Sequence, residues 1–444
     1  MNPFKALRGL LTSAGDVSSM QTSAMIRFGM MWLIYIGLAK SDLSLDVIAQ
    51  YELFIFSANL FSFALLYGGK NAVLNFQLGD SGSLKTLQAG AVVVFSVAGL
   101  VMASLFMLVS NSPDALAGIS TAVPPTELLA LYIFLLVSGS VLDFFLLLQK
   151  DYKWVVRQSW FFNGLMVLAV LVPTLLLGDL YTAFVAMSGV LMLQWLSVIF
   201  LALKGFKSLV LFPFGSFLYT SFLPLSLYAL LGGLSAYIDG YLVLRLDPSS
   251  EVFAVFRYGA RELPLATLMT GGIVSALIPV AAASRQKAGE RMRRELRVLY
   301  HQLFPLTIVL MLISPLLYPL VFSPEFAASA GIFNIYLLLL FSRLLIPQVF
   351  LYAEKRNRIL NLSALVEIIV NIGLSVFLFQ YYGVYGIAWA SVIAFMVSKL
   401  VMWYYAVWHL KLHIRLFIHP GLYVLYGLGT AAAYAVSLFY TQWI

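Results

Sequence analysis

Residues 252–269 read VFAVFRYGARELPLATLM, apolar enough to enter a bilayer although the stretch carries Arg257, Arg261 and Glu262. A charged side chain at the centre of a spanning helix costs about 2.5–3.5 kcal/mol. A chain that keeps such groups there must neutralise them or use them, and the rest of the sequence decides which.

The surroundings are membrane-like from end to end. Of 444 residues, 62% are hydrophobic and only 10% charged, whereas soluble domains are about half apolar. Thirteen apolar runs long enough to cross a ~30 Å hydrocarbon core lie near 19–39, 47–67, 87–109, 127–148, 159–178, 181–203, 217–246, 252–282, 300–322, 330–352, 359–380, 385–408 and 421–441. They lack period-two alternation, and every backbone polar group must be satisfied inside lipid, so they predict helices rather than barrel strands. The expected fold class is an all-α polytopic membrane protein.

Positive charge sets the orientation. With the N-terminus inside, 20 of the 27 Lys and Arg residues fall in cytoplasmic loops and only Lys40 falls outside. The remaining six, Arg27, Arg245, Arg257, Arg261, Arg343 and Lys399, lie within spans. The net charge of +8 therefore reports topology and gives no reason to invoke nucleic acid. The absence of cysteine excludes disulfides, thiolate metal sites and cysteine nucleophiles.

Residues 1–18 read as a basic amphipathic segment on the inner interface rather than a cleavable signal. Two lobes of six helices are expected, at 19–203 and 217–408, joined by the loop 204–216 and followed by a basic loop and accessory helix at 409–444. Within spans the first half has only Pro173, whereas the second has Pro224, Pro264, Pro279, Pro305, Pro315, Pro319 and Pro347. These prolines read either as static curvature or as hinge points of a moving lobe.

Depth separates structural charges from working ones. Glu367 and Lys399 lie about 12 and 14 Å inside the cytoplasmic ends of consecutive helices, which suits a structural ion pair. Asp143 near the inner rim reads as a partner of Lys150 or Arg157. Arg257 and Arg261, four residues apart, would share one helix face, with Asp239 at intermediate depth on the preceding helix. Arg27 and Arg343 have no acid at matching depth in a sequence-adjacent helix. The expectation is that Arg27, Arg257, Arg261 and Arg343 line a water-filled cavity and bind an anion, since guanidinium forks hold phosphate in bidentate geometry. The competing reading pairs Arg257 with Asp239 and Arg261 with Glu52 or Glu262, purely to fix helix packing. Asp239, Glu262 and Glu52 are the candidate coupling acids.

Other chemistry lacks its residues. No G-x-x-x-x-G-K-[ST] occurs, LLYGGKNAV at 65–73 lacking the first glycine, and no H-E-x-x-H is present. His409 and His413 have metal-compatible spacing, but WHLKLHIRL reads better as an interfacial basic helix. No cofactor, no metal and no enzymatic activity are expected.

The segments YIDGYLVLRL at 237–246, VFAVFRYGARELP at 252–264 and IVSALIPVA at 273–281 resemble oligosaccharide-lipid flippases of the multidrug/oligosaccharidyl-lipid/polysaccharide exporter superfamily. NIGLSVFLFQYYGVYGIAWA at 371–390 is similar to the passage between their eleventh and twelfth helices. The resemblance implies an O-antigen or polysaccharide flippase (Wzx-type) of the bacterial inner membrane. Such a protein moves an undecaprenyl-diphosphate-linked oligosaccharide by alternating access, among membrane lipids and alongside a polysaccharide polymerase complex. It would use two pseudosymmetric lobes around a cationic cavity, with Arg27, Arg257 and Arg261 at the matching positions. The alternatives are a drug/cation antiporter of the same superfamily, a lipid II flippase, and a non-transporting membrane assembly partner.

Overall fold

The computed structural model describes residues 16–76, 84–111, 126–247, 249–261, 264–413 and 418–441. Most of the interfacial segment 1–18, Glu262 and Gln442–Ile444 lie outside the described residues. The described elements are helical, and twelve of the helices are long and apolar enough to cross a membrane. All thirteen apolar runs are largely helical; the eighth is broken after Gly259 into helices of 10 and 20 residues.

That break falls within residues 252–269. Helix Ser250–Gly259 stops at Ala260, and a new helix begins at Pro264. Proline lacks the donor a continuing helix needs and disfavours helical backbone in the residue before it, so the helix restarts with Pro264 at its first position. Gly259 fits tightly at the same point: a Cβ there would lie 2.6 Å from the Ser329 carbonyl oxygen. Arg257 and Arg261 consequently do not share the face of one continuous helix, contrary to the spacing argument. Pro347 marks a second interruption, between helices Leu339–Arg343 and Gln348–Ala353. Pro279, Pro305, Pro315 and Pro319 instead lie inside continuous helices.

The chain forms two compact units, Met1–Gly233 and Leu234–Ile444. In the first, helix Asp16–Ala39 packs on Tyr152–Val172, and Thr126–Gly139 packs between Leu84–Ser110 and Leu180–Ala202. Its core gathers Phe95, Phe145, Phe212, Phe217 and Phe222. Ser44, Asp151 and Asp179 cap helix N-termini with their side-chain oxygens, satisfying amides that have no partner within the helix.

The segment 204–216, expected to join the two lobes, packs on this unit. A Cβ at Gly205 would overlap the Lys85 carbonyl oxygen at 1.8 Å, so only glycine admits this approach. The following helix, Leu223–Gly233, lies against the π-helical turn Leu65–Gly69, where a Cβ on Gly68 would sit 2.1 Å from the Leu225 oxygen. Gly68 of LLYGGK thus serves backbone approach between helices, Gly69 leaves room for the Phe222 ring, and residues 214–233 pack with the first unit.

In the second unit, helices Asn357–Tyr382 and Val384–Trp408 form the most extensive pair. The turn between them is a single residue, Gly383, at φ +56° and ψ −140°, backbone that is open to glycine almost alone. Gly386 lets the helices close, since a Cβ there would meet the Leu378 carbonyl oxygen at 2.4 Å. The 37-residue helix Arg285–Val321 buries Ala288, Met292, Leu296, Leu299 and Leu303 along one stripe, at the spacing of an amphipathic helix.

Gly386 and Gly373 make a direct comparison. Gly386→Val forces backbone apart and is expected to cost about 1–3 kcal/mol, seen as a lower Tm of the purified protein. Gly373, with nothing within 4 Å of its would-be Cβ, should accept alanine with unchanged or raised Tm.

Candidate functional site

The first unit pairs a cation and an acid from helices distant in sequence. Arg27, in helix Asp16–Ala39, donates from Nη2 to Asp143 Oδ2 at 2.8 Å. Gln158 donates to the other carboxylate oxygen. Asp143 is 7% exposed and Arg27 52% exposed, so the acid is buried while its guanidinium partner keeps half its surface open. Lys70 is buried nearby, 5.7 Å from the centre of the Phe144 ring. The expectation that Asp143 serves Lys150 or Arg157 is replaced by this contact, made possible because helix Asp16–Ala39 packs on Tyr152–Val172. Glu52 is completely buried in the same unit, on helix Leu45–Ala64.

Chemically, the Arg27–Asp143 pair is a pre-aimed fork. One nitrogen is anchored on a buried acid, which fixes the side chain, and the exposed remainder can meet an anion in bidentate geometry.

The second unit buries a carboxylate in a cluster of polar groups. Asp239 receives hydrogen bonds from Asn371 Nδ2 at 2.8 Å, from Tyr336 Oη and from Ser391 Oγ. Ser375 donates to Asn371 Oδ1 at 2.9 Å, and Ser391 Oγ also reaches the Ile387 carbonyl at 3.2 Å. Helices Ser235–Leu246, Ala327–Leu337, Asn357–Tyr382 and Val384–Trp408 all contribute. A carboxylate surrounded by hydroxyl, amide and carbonyl oxygens can exchange a proton, or can accept a small hard cation if the donors reorient.

One turn away lies a second layer. Ser235 and Asp239 are four residues apart on one helix, and Glu367 and Asn371 four apart on another, so the two layers stack about 6 Å apart. In the lower layer Glu367 accepts hydrogen bonds from Ser235 and Ser398. Lys399 donates to Gln348 Oε1 at 3.2 Å. Lys399 and Arg343 flank the Phe395 ring at 5.1 and 5.3 Å from its centre, and both act electrostatically on Glu367. The direct Glu367–Lys399 ion pair suggested by depth is thus a wider cluster that also takes in Arg343. Within it Lys399 has Gln348 as its hydrogen-bond acceptor.

Arg257 closes the last turn of its helix, and Arg261 lies in the interruption with its guanidinium stacked over the Tyr258 ring, 4.4 Å from the centre. The Tyr258 carbonyl accepts from Tyr318 Oη at 3.1 Å, which ties the interruption to the long helix Arg285–Val321. Asp143, Gln158, Asn371, Ser375 and Ser391 were not singled out as site residues in the sequence. The i, i+4 spacing of Asn371 and Ser375 within an apolar run was the available signal.

A family model described as lipid II flippase MurJ matches residues 81–444. Among solved structures, a lipid II flippase MurJ in an inward closed conformation superposes with a TM-score of 0.65 at 15% identity, covering 96% of this chain and 99% of the other. An inward-facing multidrug resistance MATE family transporter of the MOP superfamily gives 0.63 at 14% identity, over 87% and 98%. A MOP superfamily transporter from Pyrococcus furiosus gives 0.54 at 15%, over 91% and 97%. At these identities the structural likenesses speak for the fold. No curated relative matches the chain.

The Arg27–Asp143 contact has a stability consequence. Asp143→Ala removes the anchor and leaves Gln158 and buried Lys70 without the acid, so a loss of about 2–4 kcal/mol is expected. Arg27→Gln, at a half-open position, should cost less. A double-mutant cycle read by thermal unfolding should give a coupling energy of at least about 0.5 kcal/mol.

Proposed function

The chain belongs to the MurJ lipid II flippase family, and we propose that it carries a lipid whose head is a saccharide joined through a diphosphate across the bacterial inner membrane. Lipid II is the substrate this reading favours. The observation that carries it is the family match, which runs over residues 81–444 and includes both polar layers of the second unit.

The diphosphate is the part of such a substrate that a low-dielectric interior disfavours most, and it is the part guanidinium groups recognise best. Arg27, held by Asp143 and half open, is the arginine best prepared to meet it. Within the second unit, Arg257, Arg261 and Arg343 are the candidate anion-binding groups. The prenyl tail gains nothing by leaving lipid and remains there. The sequence has no P-loop, so the driving force is an ion gradient, the membrane potential or removal of product. Asp239 is the coupling acid in this reading: taking up a proton or cation there changes the charge within the second unit. Glu52 and Glu262 stand behind it as the remaining candidates.

A second reading replaces lipid II by an O-antigen-type repeat unit, which shares the diphosphate and differs in its sugars. The motifs at 237–264 and 371–390 favour it, and a polysaccharide polymerase would then be the downstream partner.

Complementation separates the two. In a strain depleted of its own lipid II flippase, expression of this chain should restore growth, and Arg27→Gln should reduce rescue at equal protein level. Failure to restore growth, together with restored surface glycan in an O-antigen flippase deletion, would overturn the lipid II reading in favour of the second. Failure in both strains with well-inserted protein would remove both.

A further inference from the structure

The long helix Arg285–Val321 is far longer than a ~30 Å core requires. Counting back from Val321, about twenty residues span the core, which puts the inner boundary near His301. Arg297 and Arg293 follow about 6 and 12 Å beyond it, at headgroup level for a helix of modest tilt. The last helix, Pro420–Thr441, packs along this one and begins immediately after His419. Two elements thus place cationic side chains at one level of the basic rim.

Their arrangement is a built cluster. Arg293, Arg297 and His301 recur every four residues along one side of the helix. Arg293 Nε donates to His419 Nδ1 at 3.3 Å, and His301 Nδ1 lies 2.6 Å from Tyr426 Oη. Tyr426 is fixed by stacking on Phe304, with ring centres 5.4 Å apart and planes 5° from parallel. Arg293 and Arg297 both act electrostatically on His419, and burial, together with their like charge, holds that imidazole below its ordinary value. A neutral ring that accepts at Nδ1 keeps its proton on Nε2, where it can donate. Among the described residues no carboxylate lies within 4.0 Å of Arg293, Arg297 or His419, although Arg291 and Arg285 on the same helix each have one. Arg297 is exposed, and Arg293 and His419 are partly so.

Two guanidinium groups and a hydrogen-bonded imidazole, converging without an acid at headgroup level beside a fixed tyrosine, form a receptor for an anion. We propose that Arg293, Arg297 and His419 bind the phosphate of a membrane lipid at the basic rim, between helices Arg285–Val321 and Pro420–Thr441. An anionic phospholipid and a prenyl diphosphate share this chemistry, and separate probes distinguish them. Occupancy would tie the last helix to the long helix by neutralising the charge between them.

The test uses the full-length protein and no transported saccharide, so its outcome is separate from that of the flippase reading. Phosphatidylglycerol, geranylgeranyl diphosphate and phosphatidylcholine are titrated individually, and retention is read by native mass spectrometry. The wild type should retain one or both anionic probes over zwitterionic phosphatidylcholine by about tenfold. The Arg293→Gln, Arg297→Gln variant should lose that preference, and Arg293→Lys, Arg297→Lys should keep most of it. Arg285→Gln, Arg291→Gln, which removes the same two charges from side chains paired with Glu354 and Glu295, should behave as wild type and controls for net charge. Loss of preference for phosphatidylglycerol identifies a phospholipid, and loss for geranylgeranyl diphosphate alone identifies the prenyl diphosphate. Equal retention by the wild type and the glutamine variant, or no preference in the wild type, overturns the site. A glutamine variant that fails to fold is replaced by His419→Gln, for which about a threefold loss is expected.

Discussion

A carboxylate moved from water to membrane depth costs several kcal/mol unless donors meet it there, and this constraint organises both compact units. Asp143 is met by Arg27 and Gln158, and Asp239 by Tyr336, Asn371 and Ser391. Each acid draws at least one partner from a helix far away in sequence, so satisfying it also fixes which helices are neighbours. The polar groups that a transporter needs are therefore also what gives an otherwise uniform apolar bundle its register. In lipid, where burial alone does not distinguish one apolar helix face from another, such contacts carry more of that burden than they would in a soluble core.

The two acids differ in what remains available. Arg27 is anchored at one nitrogen and half open, an arrangement in which position is fixed before a ligand arrives. Asp239 is enclosed, and its immediate neighbours are groups that can turn from donating to accepting. The first arrangement suits recognition of an anion, and the second suits a change of occupancy by a proton or cation. The lower layer of Glu367, Lys399 and Arg343 lies one turn from Asp239, close enough for a change of charge in one layer to be felt in the other. A transporter that couples an ion to an anionic lipid needs these properties in one molecule, and membership of the MurJ family gives them a consistent setting.

Much of this was legible in the sequence. Apolar runs of membrane length without alternation give helices because backbone groups in lipid have no other partner, and each run is helical in the structure. The thirteenth helix was visible for the same reason. The break after Gly259 could be read from Pro264, yet treating 252–282 as one span hides it and puts Arg257 and Arg261 on a common face. Gly205 and Gly68 were opaque because what they permit is a close approach of distant backbone, and nothing local records the partner. Asp143 was matched to Lys150 and Arg157 because sequence neighbours are the easiest to pair, whereas its guanidinium partner stands 116 residues away. Asn371 and Ser391 passed unnoticed because single polar residues in apolar runs become meaningful only when helices bring them to one acid.

The central claim, that Arg27 held on Asp143 receives the diphosphate of a transported lipid, is tested most directly in reconstituted vesicles. A fluorescent polyprenyl-diphosphate disaccharide placed in one leaflet is followed by its accessibility to an impermeant quencher. Protein-dependent exchange between leaflets is expected, slowing about tenfold or more in Arg27→Gln, with a phosphate-free prenyl glycoside not carried. Exchange of the diphosphate lipid at the same rate by the wild type and by a folded Arg27→Gln protein would contradict it.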